Sequence, residues 1–163
     1  MRVEMSVSTL EKLRAALKAT PDREIGGVLL GQHLGDGAFL IVDISLQVTG
    51  GTKQHFVRDP AIHKPFIDDF FERTGHDYAT FNYLGEWHSH IDVAPIPSSE
   101  DIRTMQAHVA NPEVNAPFAL LLIVRHGKGR NVELSATVFQ EERSPAPVSF
   151  AISPDQHQVH QPI

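Results

Sequence analysis

The sequence predicts a single α/β domain, layered from strands and helices and without internal repeats. Three observations carry that expectation. Apolar strand-like runs alternate along the chain with stretches whose apolar residues recur at helical spacing. A chain of 163 residues is the size of one domain, and such a domain buries about 68–70% of its unfolded surface, enough for a self-sufficient core. Cysteine is absent, so no disulfide staple contributes and the core must suffice.

The elements follow in order. Residues 2–7 read as a short strand. Ser8-Thr9-Leu10-Glu11 opens a helix with a Ser-x-x-Glu capping box, and Leu10, Leu13 and Leu17 share one face of it. Strands come next near 25–32 and 37–46, with the turn Gly35-Asp36-Gly37 between their cores. Gly50-Gly51-Thr52-Lys53-Gln54 is a loop, and from Phe56 the chain leads into a helix over about 60–73. Its apolar set, Ile62, Phe66, Ile67, Phe70 and Phe71, has the spacing of a core face rather than of a cofactor stack. Pro65 kinks this helix or marks its start.

Phe81-Asn82-Tyr83-Leu84 is aromatic and apolar and opens a strand over 81–88. A helix from about 98 to 109 sets Ile102, Met105 and Val109 inward. Ala119 to Val124 is nearly all aliphatic, as a buried strand should be, and Val132 to Phe139 alternates as its hairpin partner. The basic run Arg125-His126-Gly127-Lys128-Gly129-Arg130 between them is a hairpin loop. The domain is expected to span 1–143. Ser144-Pro145-Ala146-Pro147 and Ser153-Pro154-Asp155 make 144–163 a proline-containing C-terminal tail, mobile or laid along the surface. His157 and His160 in it make a poor metal pair.

Composition removes several function classes. A net charge of −6 with 14 basic residues offers no clustered basic surface for counterion release, so no nucleic-acid partner is expected. Without cysteine there is no thiol nucleophile, no Cys-rich zinc knuckle and no zinc site of the cytidine-deaminase type. The start, Met1-Arg2-Val3-Glu4-Met5-Ser6, has no apolar signal region, and no segment approaches the length of a membrane span. No membrane partner and a cytoplasmic location are the expectation.

Chemistry concentrates in Gly85-Glu86-Trp87-His88-Ser89-His90 and in Asp101, eleven residues beyond the last histidine. Residues two apart on a strand share a face, so His88 and His90 aim at one point with Ser89 opposite. The turn from Asp92 to Pro97 ends in Ser98, a good helix start, and Asp101 in the first helical turn can swing back toward both imidazoles. Three nitrogen and oxygen ligands leave a fourth position for water, the arrangement of a hydrolytic zinc, one per chain. Two plainer readings stand beside it. Ser98-x-x-Asp101 is also a helix capping box in its Asp-containing form, and a His-x-His pair arises by chance in a chain with ten histidines. Two histidines and a carboxylate also fit a mononuclear iron oxygenase.

The combination His-x-His, seven residues, Ser, two residues, Asp, here His88-Ser89-His90, Ile91 to Pro97, Ser98 and Asp101, resembles the signature of the JAMM (JAB/MPN) metalloproteases. That family also has a glutamate just before a glycine-rich apolar strand, which Glu24-Ile25-Gly26-Gly27-Val28-Leu29-Leu30-Gly31 resembles. The likeness covers about residues 2 to 140. It implies a JAMM/MPN-type fold, a curved, mixed, mostly antiparallel sheet flanked by helices. It further implies Glu24 as general base and Ser98 as the donor to a developing oxyanion, with His88, His90 and Asp101 as zinc ligands. Glu86, two residues before His88 and on its face, is a local rival for Glu24, as a partner orienting a histidine or as the base itself. One departure concerns the residue after His90, usually proline in the family and here Ile91.

The short, cysteine-free form is similar to prokaryotic JAB proteins encoded beside bacterial ubiquitin-like conjugation machinery, including antiphage systems. The function this implies is hydrolysis of the amide bond after the C-terminal tail of a ubiquitin-like modifier, in deconjugation or precursor processing. The implied partners are a ubiquitin-like protein or its conjugate, and activating or conjugating enzymes encoded nearby. Alternatives are a processing peptidase for small sulfur-carrier proteins and a non-catalytic MPN interaction scaffold. Residues 91–97 are the candidate surface for an extended substrate tail, or else an ordinary connection.

Overall fold

Pairing of the strands produces one eight-stranded sheet among the residues that the computed structural model describes, 1–114, 116–129 and 131–155. In chain order the elements are β1 (Arg2–Ser6), α1 (Val7–Ala19), β2 (Gly26–Gly35), β3 (Ala38–Ile44), α2 (Pro60–Arg73), β4 (Phe81–Ser89), α3 (Ser99–Val109), β5 (Ala119–His126), β6 (Val132–Phe139), β7 (Ala146–Pro147) and β8 (Ser149–Ser153). The sheet runs β7-β6-β5-β4-β2-β3-β1-β8. The β1–β3, β1–β8 and β4–β5 pairs are parallel and the rest antiparallel. The parallel β4–β5 pair requires a crossover, and α3 is that crossover.

The sheet is curved enough to bring its ends together. Pro147 pairs with β6 at one edge, and Ser149, two residues later, pairs with β1 at the other. Two residues span at most about 7 Å, so β7 and β8, the two edge strands, meet within that distance, and Val148 N–H donates to Ala136 O at the junction. Of the two outcomes open for the segment from 144, the structure has it laid against the domain, with 146–153 as strands of the sheet. His157 and His160 lie outside the described residues.

Curvature sorts the core into an inside and an outside. Within it, Leu10, Leu13 and Leu17 of α1 pack against Val3, Met5, Leu29, Ile41, Trp87, Leu120 and Leu122. Outside, α2 sets Phe70 against Val28, Leu30 and Phe81, and α3 sets Met105 and Val109 against Ala119, Leu121 and Ile123. A bulge in β4 at Leu84/Gly85, where the pairing with Leu29/Leu30 slips, resets the alternation. Gly85 has φ +150 there, and a Cβ would lie 2.0 Å from Leu120 O. Leu84 and Trp87, three apart, consequently both enter the inner core.

Several expectations are corrected at the element ends. The first helix is capped by Ser6 and not Ser8, because the Ser6 hydroxyl accepts from Thr9 N at 3.2 Å while Ser8 bonds Asp155. Glu11 pairs with Arg14 instead of completing a capping box. The second helix starts at Pro60 behind the Asp59 cap and continues through Pro65. Ile62, expected in its core face, is 43% exposed, and His63 beside it is fully buried. The turn at Gly35-Asp36-Gly37 is as expected, all three residues having positive φ.

Deleting residues 144–163 removes β7 and β8 and leaves both sheet edges unpaired. The melting temperature should fall by roughly 5–10 °C, the scale of a few kcal/mol of lost burial in a domain of this size. An unchanged melting temperature in a thermal scan would show that these strands do not hold the sheet closed.

Candidate metal centre

The C-terminal end of β4 lies on the outer side of the sheet beside the start of α3. Ser89 is buried, and its hydroxyl accepts from Ile25 N at 2.9 Å. Trp87 is in the inner core, and its indole N–H donates to Ser45 O at 3.0 Å. The alternation of the strand leaves His88 and His90 on the outer side. Their Nε2 atoms are 3.3 Å apart, and Asp101 Oδ1 lies 3.4 Å from His88 Nε2, with Oδ2 4.0 Å from His90 Nε2. One potential ligand atom from each of the three residues falls within 4.8 Å of the others.

Asp101 reaches this point through the helix cap. The Ser98 hydroxyl accepts from Asp101 N at 3.1 Å, and Ser98 N–H donates to Asp101 Oδ2 at 2.7 Å. Capping box and cluster member are the same carboxylate, so the helix cap that Ser98 and Asp101 form does not compete with a place in the cluster. The cap aims the carboxylate at the histidines.

The residues present fit a divalent metal. His90 Nδ1 is 2.8 Å from Ala94 O, which only accepts; Nδ1 therefore carries the proton and Nε2 turns its lone pair to the cluster. Burial pushes His88 down to about 4, against the pull of Asp101 and with the help of His90. It is neutral at neutral pH, the form that ligates. Two imidazole nitrogens and a carboxylate oxygen are a donor set that zinc accepts.

Strand pairing brings Glu24 to the cleft that holds the cluster. Gly26 pairs with His88 in the antiparallel β2–β4 ladder, and Ser89 N–H donates to Ile25 O at 2.8 Å, so position 24 lies beside the end of β4. Its side chain is buried, and it lines one cleft of about 800 Å³ together with His88, His90, Ser98 and Asp101. Burial first, and the Asp101 charge second, raise its carboxyl to about 7. Near neutrality such a group can both take and return a proton. Glu86, the local rival, lines the same cleft but is engaged elsewhere, accepting from Arg58 Nε at 2.7 Å. Among the described residues no hydrogen bond joins it to either histidine.

Other residues of the cleft were not singled out by sequence. Phe56 stacks on His88, with ring centroids 6.4 Å apart, and fills the space that a Cβ on Gly26 would need. The loop carrying Phe56 and Arg58 is tied down from below. Ser45 Oγ accepts from Val28 N–H and donates to His63 Nδ1; His63 Nε2–H then donates to Gln47 Oε1, which also accepts from Asp59 N–H. The Gln47 amide nitrogen donates to Thr49 O and Val57 O. Burial, reinforced by Arg58, lowers the His63 pKa and keeps the ring neutral, as this chain of bonds needs. The available signal was His63 itself, which stands on the face of α2 shared by Phe66, Ile67 and Phe70.

Glu24 predicts a pH dependence of stability. Its folded pKa, about 7, exceeds the ordinary 4.5, so its contribution is fully present below the unfolded value and is lost as pH rises through the folded one. In chelator-treated protein, Glu24→Gln should gain melting temperature relative to the parent between about pH 5 and pH 8.5. A difference that stays constant over that range, followed by thermal melts, would show that the carboxyl is not desolvated.

Comparison with known proteins agrees with this geometry. A family model described as prokaryotic homologs of the JAB domain matches residues 6–137. A "CD-NTase/cGAS isopeptidase" of Vibrio cholerae serotype O1 is 32% identical over 120 residues, covering 72% of this chain and 70% of that protein. A second protein of the same name, from Enterobacter hormaechei subsp. hoffmannii, is 27% identical over 154 residues, 90% of this chain and 78% of the other. The fold matches the solution structure of protein DSY2949 from Desulfitobacterium hafniense, with TM-score 0.72 and 18% identity over 98% of this chain and 99% of that one. With its α/β sheet, its three described helices and its His-His-Asp cluster, the chain belongs to the prokaryotic JAB branch of the JAMM/MPN family.

Proposed function

We propose that this protein is a zinc-dependent peptidase or isopeptidase that hydrolyses the amide bond after the C-terminal tail of a ubiquitin-like modifier. It acts in deconjugation or precursor processing, in the cytoplasm and as part of a bacterial antiphage conjugation system. The observation that carries the reading is the meeting of Glu24 with His88, His90 and Asp101 in one cleft. The shared name of the two relatives supports the isopeptidase class and points to a linkage involving a CD-NTase/cGAS-type protein.

The residues divide the work by their chemistry. His88, His90 and Asp101 hold the metal, which when bound supplies Lewis-acid polarisation and a water of lowered pKa. Glu24, with its carboxyl raised to about 7, takes the proton of the attacking water and delivers it to the leaving amine. The Ser98 oxygen already accepts from Asp101 N–H, so its own O–H is free to donate to the scissile carbonyl oxygen as that oxygen gains charge. A substrate tail lies extended beside Val93 and Ile96, which are 54% and 61% exposed on the connection after His90.

Purified protein should carry about one zinc per chain, and His88→Ala, His90→Ala and Asp101→Ala should each lose it. Full zinc retention in Asp101→Ala would remove Asp101 from the ligand set. Glu24→Gln should keep the metal while cleavage of a ubiquitin-like fusion falls at least about 100-fold, and Ser98→Ala should cost about 100- to 1000-fold in turnover. If Glu86→Gln abolishes cleavage and Glu24→Gln does not, the base is Glu86. Ile96→Asp should raise KM with zinc content intact, and an unchanged KM would make 91–97 an ordinary connection.

A further inference from the structure

The hydrolytic reading leaves one polar feature of the cleft unused. Arg58 enters it from the loop before α2 with its Nε clamped 2.7 Å from Glu86 Oε1, the two side chains being 23% and 19% exposed. Among the described residues Nε makes the one protein hydrogen bond found for this guanidinium. The side chain keeps part of its surface exposed and lines the cleft. A guanidinium clamped through Nε has already lost much of its rotamer freedom, and it keeps its outer edge for a second, bidentate partner. That edge suits a carboxylate.

The loop that carries Arg58 brings further basic groups to its side of the cleft. Lys53 and His55 line the cleft from the same loop as Arg58. Of the five carboxylates that line the cleft, Glu86 is paired with Arg58, Asp101 is held at the helix cap, Glu100 lies 3.7 Å from His55, and Glu24 and Asp92 are the other two. Tyr83, whose hydroxyl is near Glu86, and His108 bond each other at 3.2 Å. Glu86 stands two residues before His88, about 7 Å along the strand at the usual rise. An extended chain crossing the metal ligands and running over β4 would bring its second residue from the cleaved bond to Arg58.

We propose that Arg58 reads a carboxylate of the substrate about two residues from the scissile amide, and that Glu86 is the positioning residue that presents its guanidinium. This rests on the proposed peptidase activity. The carboxylate belongs either to an Asp or Glu side chain or to a free chain terminus.

The test uses the zinc-loaded full chain and a matched set of quenched fluorescent peptides with a glycine-rich centre. They carry Asp or Asn at the second position before or after the cleaved bond, with the C-terminus free or amidated. The parent should favour Asp over Asn, or free acid over amide, by roughly tenfold in kcat/KM, the scale of one charge-assisted pair. In Arg58→Gln that ratio should fall to within about twofold of one, chiefly through KM, and Arg58→Lys should restore only part of it. Glu86→Gln should lower the ratio as well. A parent ratio near one, or a ratio unchanged in Arg58→Gln, overturns the proposal. Fluorescence anisotropy with the same Asp and Asn peptides on the Glu24→Gln protein reads the preference without turnover. Selective binding that depends on Arg58, in a parent that cleaves none of the peptides, would sink the peptidase reading and keep the carboxylate site.

Discussion

The antiparallel pairing of β2 with β4 is the constraint on which the rest of the candidate metal centre depends. It places Gly26 opposite His88 and so carries Glu24, at the entrance of β2, to the end of the strand that presents the histidines. The approach is closer than a side chain would permit. A Cβ on Gly27 would lie 2.1 Å from Ser45 O, and one on Gly26 would lie 2.5 Å from both Trp87 O and the Phe56 ring. The glycines are there for the room they leave. That room lets the loop before α2 settle over His88.

Burial sets the protonation of the site in two opposite directions from one cause. Desolvation disfavours charge, so it raises the Glu24 carboxyl and lowers the His88 imidazole. Both groups are thereby prepared for what the proposed chemistry asks of them, a carboxylate that exchanges a proton near neutrality and a ring that offers a lone pair. The same economy appears in the helix cap. Ser98 and Asp101 satisfy the first amides of α3 and, by doing so, hold the carboxylate against the histidines. Structural and functional demands are met by one set of hydrogen bonds.

The roof of the cleft depends on a second set. Ser45, His63 and Gln47 are all buried and all bonded, and a buried polar network is favourable when every member is satisfied. Its far ends are the Val28 amide in β2 and the backbone of Thr49, Val57 and Asp59. Phe56 and Arg58, which face the cleft, are in this way referred to the same strand that positions Glu24. The groups proposed to face substrate and to transfer the proton share one hydrogen-bonded frame.

The sequence by itself determined what short-range rules govern. The spacing His88-x-His90 puts two imidazoles on one strand face, and Ser98-x-x-Asp101 forms a cap, because both follow from local periodicity. The bounds of α2, β4 and α3 were legible for the same reason, as was the turn at Gly35-Asp36-Gly37. The first helix was read two residues late because Ser8, with Glu11 three residues on, is the stronger local signal, whereas in the fold Ser6 accepts from Thr9 N and Ser8 bonds Asp155. Tertiary structure alone decided that Glu24 meets His88, that Glu86 turns to Arg58, that His63 is a network centre and not surface, and that residues 146–153 join the two ends of the sheet. Each of these joins positions far apart along the chain. Such contacts depend on strand register and sheet curvature, which a local pattern does not encode.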